Sequence, residues 1–331
     1  MPSTNPTKSP IGSEVSICIP AHNESACITN ILKKTLAISC LNIKEILVCA
    51  NGCTDDTAEK VTSFINRHPK VKLIEEKKAS KIVAWNKLVQ KSQSNIILFL
   101  DSDIQFSNDS ISKLISALDD KNIILATGTY TPQRSDIQFS RKLNGFIMLP
   151  LNQDFVYGGL YTIKKDLLVK HLSETGFNEM PKSFSEDIFL TVAIPKTKIK
   201  IVSETQAFFV PPSKDELIKY FARGKAQLID MEKRFPKLYE RFKAERYWNK
   251  NPLVVFASKI FSMDKSNQLL KGTLSAIGKR IFHFLYKSEI DNLIQSLLNR
   301  ETDSDDVMAS LTRSESSREL LKLKHNSNKL N

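Results

Sequence analysis

The chain contains no run of about 18 uncharged apolar residues, so a transmembrane helix is not expected. Its opening residues, M-P-S-T-N-P-T-K-S-P, lack the apolar stretch of a secretory signal. Residues 1–13 read as a disordered lead-in, and a cytoplasmic location is the expectation. Cysteine is scarce and one-sided: Cys18, Cys27, Cys40, Cys49 and Cys53 are the five present. An odd number without a secretion signal argues against a disulfide framework. The spacing of His22, Cys49 and Cys53 matches no usual zinc pattern. Small buried hydrophobes is the better reading of these thiols. Two nucleotide fingerprints are also missing. No G-x-G-x-x-G follows the first predicted strand, against a nicotinamide or flavin Rossmann enzyme, and no G-x-x-x-x-G-K-[ST] exists for a P-loop.

What is present fits a soluble α/β protein. The 331 residues, 41% apolar and 25% charged, allow one large domain with additions or two domains, with a sizeable core. The net charge of +12 is unevenly placed: Lys219 to Lys287 holds 16 basic residues against 5 acidic ones, which points to an acidic partner there. Asn95 to Gln105 reads N-I-I-L-F-L-D-S-D-I-Q. Ile96 to Leu100 suits a central strand buried on both faces, ending in Asp101 and Asp103. Such acids either close a turn or share a divalent cation whose other ligands are phosphate oxygens.

In chain order, Glu14–Ile19 predicts a first strand, stopped by Pro20, then a helix capped by Asn23 or Ser25. Lys44–Cys49 predicts a second strand and Thr54 the cap of the next helix. Val71–Glu75 predicts a third strand, and a helix over 79–90 carries Lys81 and Asn86. After the D-S-D strand, Asn108 or Asp109 caps a helix, and Asn122–Gly128 predicts a fifth strand. This alternation gives a doubly wound, mostly parallel sheet. The loops after Ile19, Cys49 and Leu100 gather on one edge.

Those loops resemble the inverting family 2 glycosyltransferases, which have the type A nucleotide-sugar-binding fold. V-S-I-C-I-P-A-H-N-E (15–24) is similar to the family's V-S-V-I-I-P-x-Y-N-E, and E-I-L-V-C-A-N-G-C-T-D-D-T (45–57) to E-I-I-V-V-D-D-G-S-T-D-x-T. K-I-V-A-W-N-K-L (81–88) resembles G-K-x-x-A-L-N-x-G, and F-L-D-S-D (99–103) the D-x-D motif. Y-G-G-L-Y-T-I-K-K-D-L-L (157–168) resembles the acceptor-side segment, and S-E-D-I-F-L (185–190) the E-D-x-x-L motif. Two departures stand out. Ala50 and Asn51 replace two aspartates, and Ser80 replaces the common glycine before Lys81.

The resemblance implies transfer of a sugar from a nucleoside diphosphate, UDP first, with inversion onto an acceptor hydroxyl. A hexosyl- or N-acetylhexosaminyltransferase of cell-surface glycan or glycolipid synthesis is the expected class. The chemistry needs a base on one side and positive charge behind the leaving group. Asp187 is the implied base, with Glu186 beside it on the acceptor side holding the loop or a neighbouring cation; on spacing alone, both acids simply begin a helix. Asp103 would coordinate Mg²⁺ or Mn²⁺, with Asp101 on the ribose or reaching the metal through water. Pro20, His22 and Glu24 line the nucleotide pocket, and Asn51 accepts the base N–H through its amide oxygen. Lys81 reaches the nucleotide or merely opens a helix. Asn86 is a packing amide or a functional one. Gly158 and Gly159 allow close approach beside sugar or acceptor, or form a plain turn. Arg223 in P-P-S-K-D-E-L-I-K-Y-F-A-R-G-K-A-Q (211–227) is a diphosphate clamp or part of a solvated basic helix.

A catalytic domain over 14–230, a basic helical extension over 231–300 and a polar tail over 301–331 follow. Helices at Pro252–Met263 and Gly272–Tyr286 either pack on the catalytic domain or lie on an anionic membrane surface through 219–287, where lipid-linked acceptors are made. Such a protein would be cytoplasmic and peripheral on the inner face. A sugar nucleotidyltransferase would show a Gly-rich segment where A-H-N-E-S stands, and a non-catalytic binding protein would have lost acids that are retained here. Nucleic acid is not an expected partner.

Overall fold

The computed structural model describes residues 13–132, 155–209, 212–245 and 282–298. The expected fold class, a mostly parallel doubly wound sheet with helices at the C-terminal side, is what it shows. Strands β1 (Glu14–Ala21), β2 (Asn42–Asn51), β3 (Val71–Glu76), β4 (Ile96–Leu100), β5 (Gln105–Phe106), β6 (Leu125–Pro132), β7 (Leu160–Lys164) and β8 (Ile199–Phe209) form one sheet. Its order is β3-β2-β1-β4-β7-β6-β8-β5. β3, β2, β1 and β4 run parallel, β7 is antiparallel to both β4 and β6, β6 and β8 are parallel, and β5 closes the edge antiparallel to β8.

Helices α1 (Ile28–Leu36), α2 (Thr57–Ile65), α3 (Lys81–Lys91) and α4 (Asn108–Ser116) connect the first half. α5 (Lys165–Glu174), α6 (Glu186–Ala193), α7 (Lys214–Arg234), α8 (Pro236–Glu245) and α9 (Lys287–Leu298) follow. β4 shows why its sequence is an unbroken apolar run. Ile97 and Phe99 enter the core with Trp85, Leu88 and Tyr161, whereas Leu98 and Leu100 enter the core on the other face with Ile28, Leu32 and Leu114. A strand covered on both faces has no solvent side to make polar. Trp85, Phe99 and Tyr161 stack in series, with centroids 5.5 and 5.1 Å apart, and the Trp85 indole N–H donates to the Tyr161 hydroxyl at 2.7 Å. Each aromatic pair contributes about 0.5–1.5 kcal/mol beyond its buried area, giving a rigid floor at this end of the sheet.

Several expected boundaries are corrected. β1 continues through Pro20 to Ala21, because beyond Cys18 it pairs only with β2 and a missing N–H is tolerated on a strand paired on one side. Neither Asn23 nor Ser25 caps α1, whose N-cap is Cys27. Nor does Thr54 cap α2, whose N-cap is Asp56. These polar residues instead join the two loops to each other, as described below. Ser107, not Asn108 or Asp109, caps α4, accepting from Ser110 N. β6 starts at Leu125, since Asn122 N bonds Asp120 Oδ1 in a turn. Cys18, Cys27 and Cys49 are buried as expected, but Cys40 is exposed.

α7 runs without interruption from Lys214 to Arg234. α8 is tied back to the sheet side: Arg241 Nη2 donates to Val192 O at 2.7 Å, and Lys196 N donates to Glu245 Oε2 at 2.8 Å. Phe282, Ile290 and Ile294 pack against Leu217, Ile218, Ala222 and Ala226 of α7. The helix expected at Pro252–Met263, most of that at Gly272–Tyr286, and the lead-in and tail fall outside the described residues. Among the described residues, no helix is long and apolar enough to cross a membrane.

Candidate active site

Because β1, β2 and β4 are parallel, their following loops meet at one edge, and β1 sits between β2, the next strand in the chain, and β4, on its other side. That arrangement opens a crevice beyond the strand ends. The first two loops are cross-bonded. Asn23, at a positive φ of 52°, accepts through Oδ1 from Thr54 N at 2.7 Å. Glu24 N donates to Thr57 Oγ1 at 2.9 Å, and Ser25 N to Asp55 Oδ2 at 3.1 Å. His22 Nδ1 lies 2.7 Å from Asn51 O; a carbonyl only accepts, so Nδ1 carries the proton.

Asn51 stands beneath the crevice, 3% exposed. Its Nδ2 donates to Ala21 O at 2.8 Å and more loosely to Cys49 O at 3.4 Å, while its Oδ1 accepts from Ser80 N at 3.1 Å. The amide oxygen expected to meet a nucleotide base is thus engaged by the backbone of α3's N-cap. The departure at Ser80 also finds its reason: its hydroxyl caps α3, accepting from Val83 N at 3.3 Å. Gly52 must be glycine, since at φ 58° a Cβ would stand 2.4 Å from Ala79 N.

The D-S-D segment is a tight turn in which Ile104 N donates to Asp101 O at 3.3 Å and Asp101 N to Gly159 O at 3.0 Å. Gly159 therefore ties the D-S-D turn to the strand antiparallel to it. Its neighbour Gly158 faces α6: a Cβ there would lie 2.8 Å from Glu186 Oε1 and 3.3 Å from Asp187 Cβ. Two glycines thus bring the acid pair after β4 and the acid pair opening α6 to one place. Lys81, first residue of α3, bridges them. Its Nζ is 2.8 Å from Asp101 Oδ1 and also contacts Glu186 Oε1. Burial works to lower the Lys81 ammonium, but Asp101 and Glu186 outweigh it and raise it. Glu186 is 4% exposed; burial pushes it up to about 7, with Asp187 and Asp101 adding to the rise and Lys81 opposing it.

Asp101 and Asp103 are both half-buried, on one turn. Among the described residues no group of three or more His, Cys, Asp or Glu side chains could hold a metal by itself. Two carboxylates on an open turn nevertheless suit Mg²⁺ or Mn²⁺, hard ions that are commonly held by one or two carboxylates and complete their shell with substrate phosphates and water.

α6 is set in place from two sides. Ser185, its N-cap, donates from both N and Oγ to Gln227 Oε1 of α7, at 3.1 and 2.9 Å. Thr191 Oγ1 donates to Asp187 O at 2.6 Å and accepts from Val156 N at 3.0 Å. Asn86 exchanges two hydrogen bonds with Met180 N and O, and so is a packing amide. Arg223 is brought to the region by α7, which meets α6 where a Cβ on Gly224 would touch Ile188 at 3.9 Å. Arg223 itself lies against Tyr220 and, among the described residues, pairs with none of the acids. The roles of Gln227 and Thr191 have no signature in the chain, although both lie within or near the segments that resemble family motifs.

The family model "Glycosyl transferase family 2" matches residues 16–185. An uncharacterized glycosyltransferase of Haemophilus influenzae is 27% identical over 146 residues, 42% of this chain and 58% of that protein. A dolichyl-phosphate beta-glucosyltransferase of Trichomonas vaginalis is 26% identical over 159 residues, 44% of this chain and 47% of that protein. The matches thus span about half the length of these curated relatives. Among solved structures, the mannosyltransferase PcManGT from Pyrobaculum calidifontis is similar in fold, with a TM-score of 0.58, 16% identity and 92% of each chain covered. With the family model covering more than half of the residues, this chain belongs to glycosyl transferase family 2.

Proposed function

We propose that the protein transfers a sugar from a nucleoside diphosphate sugar to an acceptor hydroxyl, with inversion at the anomeric carbon. The observation that carries this reading is the junction at Gly158–Gly159, which sets Asp101 and Asp103 on one side and Glu186 and Asp187 on the other. In this reading residues 14–230 form the catalytic unit. Asp187 takes the proton of the acceptor hydroxyl as it attacks, a task that contributes about 10²–10⁴-fold when a base is positioned for it. Asp103, with Asp101, would hold Mg²⁺ or Mn²⁺, which when bound supplies positive charge to the departing diphosphate. Arg223 adds charge when α7 closes on the donor. Pro20, His22 and Glu24 line the nucleotide side.

UDP-sugars are the first donor class to test. GDP-sugars stand beside them, because Asn51 offers no carboxylate to a uracil ring and because PcManGT was solved with GDP-Man and Mn²⁺. A lipid-linked acceptor is suggested by the dolichyl-phosphate relative. An anionic membrane surface fits the basic stretch 219–287, where Phe284 and Leu285 stand exposed beside Lys287. The test is Mn²⁺-dependent binding and hydrolysis across UDP-, GDP- and dTDP-sugars. Asp103→Ala should lose at least tenfold in metal-dependent nucleotide binding. Asp187→Asn should bind normally while turnover falls about 100-fold or more. If no nucleotide binds the wild type better than Asp103→Ala, the donor site is misassigned; full turnover in Asp187→Asn removes the base.

A further inference from the structure

A lysine opening α3 in such a crevice invites the role of a phosphate ligand, but its surroundings point elsewhere. The backbone at Lys81 is fixed before its side chain does anything, since Ser80 N is held by Asn51 Oδ1 and the Ser80 hydroxyl closes the first turn of α3 on Val83 N. From that anchor the ammonium reaches two acids that belong to different elements, Asp101 after β4 and Glu186 in the first turn of α6. The two acids differ in what they need. Asp101 keeps 26% of its side chain exposed and retains access to water. Glu186 has almost none, and its carboxylate lies against the Gly158 backbone. Among the described residues, Lys81 is the cation paired with Glu186. A buried carboxylate stripped of its partner must neutralise or move, and both Glu186 and Asp187, the next residue of the same helical turn, border the Gly158 backbone.

We propose that Lys81 is a positioning residue. Resting on the glycosyltransferase reading above, it ties the donor-side turn to the first turn of α6 through Asp101 and Glu186, and so fixes where Asp187 stands. It is not a ligand of the donor's phosphates. The Lys81 ammonium is already engaged by Asp101 and Glu186, so attraction for a diphosphate comes from other groups. The coupling has a structural logic: a change at Asp101 when the donor arrives is felt at Glu186 through a single ammonium, with no intervening loop.

The experiment compares the full-length wild type with Lys81→Met, Lys81→Arg, Glu186→Gln and Lys81→Met/Glu186→Gln. Nucleoside diphosphate affinity with Mn²⁺ is measured by titration calorimetry, and turnover by hydrolysis of whichever UDP-, GDP- or dTDP-sugar the wild type cleaves fastest. Lys81→Met should lower saturated turnover at least 30-fold while UDP or GDP affinity changes less than threefold. The double variant should be no slower than the slower single one, because both substitutions break one link. Lys81→Arg, which keeps a cation between the two acids, should recover at least a third of the wild-type turnover, and it remains informative should Lys81→Met fold poorly. A tenfold or greater loss of nucleotide affinity in Lys81→Met at unchanged saturated turnover overturns the inference alone, as do losses that multiply in the double variant. A wild type that binds none of the nucleotides overturns the donor reading, and this inference with it.

Discussion

Asn51 shows how one atom type can decide a local structure. Its position corresponds to an acid in most of the related motifs, yet its amide gives two hydrogens to the carbonyls of Ala21 and Cys49 and takes one from Ser80 N. An aspartate has no hydrogen to give, so Asn51→Asp sets acceptor against acceptor at 2.8 Å in a buried place. We expect the variant to lose about 2–3 kcal/mol of stability in urea unfolding, the cost of an unsatisfied buried acceptor compounded by charge. Restoring the more usual acid should not tighten UDP binding. A variant as stable as the wild type that binds UDP more tightly would show that the side chain at 51 faces the nucleotide. The residue type was legible in the sequence; its distant partners were not, because they come from the end of β1 and the cap of α3, 30 and 29 residues away.

At the scale of elements, the three strands whose loops build the crevice were legible because strands buried on both faces write themselves as apolar runs. The helix caps were not. Asn23, Ser25 and Thr54 have the right chemistry for capping, but each is drawn into bonds between loops that only the folded sheet brings together. The acid pairs at 101 and 103 and at 186 and 187 were legible as types; the lysine between them required three elements to converge. The link from α7 to α6 is of the same kind. Gln227, 5% exposed, accepts both the N–H and the hydroxyl of Ser185, so α7 holds the turn from which Glu186 and Asp187 project. Gln227→Leu removes the acceptor and leaves a buried N–H unsatisfied, costing about 1–3 kcal/mol. If that bond places the base, turnover should fall at least tenfold with nucleotide affinity unchanged, and Gln227→Glu, which keeps the acceptor, should recover much of it. A loss confined to thermal stability in both variants would reduce Gln227 to a packing residue.

For the whole molecule, the concentration of acid at one sheet edge has a thermodynamic consequence. Glu186 is pushed up from 4.5 to about 7 by burial and by its acidic neighbours, against the pull of Lys81. Between those two pH values the folded protein therefore holds a proton that the unfolded chain releases. Stability from this group is fully present below about 4.5, falls as pH rises through the window, and levels off above about 7. The loss over the window is on the order of 3 kcal/mol, since each unit of pKa difference corresponds to about 1.4 kcal/mol. Lys81, held charged by its two partners, contributes stability that is lost only above its ordinary value of 10.5, and so leaves this window alone. The other acids of the chain titrate nearby, so the informative quantity is a difference. Unfolding free energies of the wild type and Glu186→Gln, measured by urea from pH 4.5 to 8, should converge or cross as pH rises, with the wild type losing ground to the variant by that amount. A difference that stays flat with pH would mean that Glu186 is ionised throughout, with Lys81 strong enough to overcome its burial. A difference that grows in favour of the wild type would mean that the ion pair, and not the burial, governs this edge of the sheet.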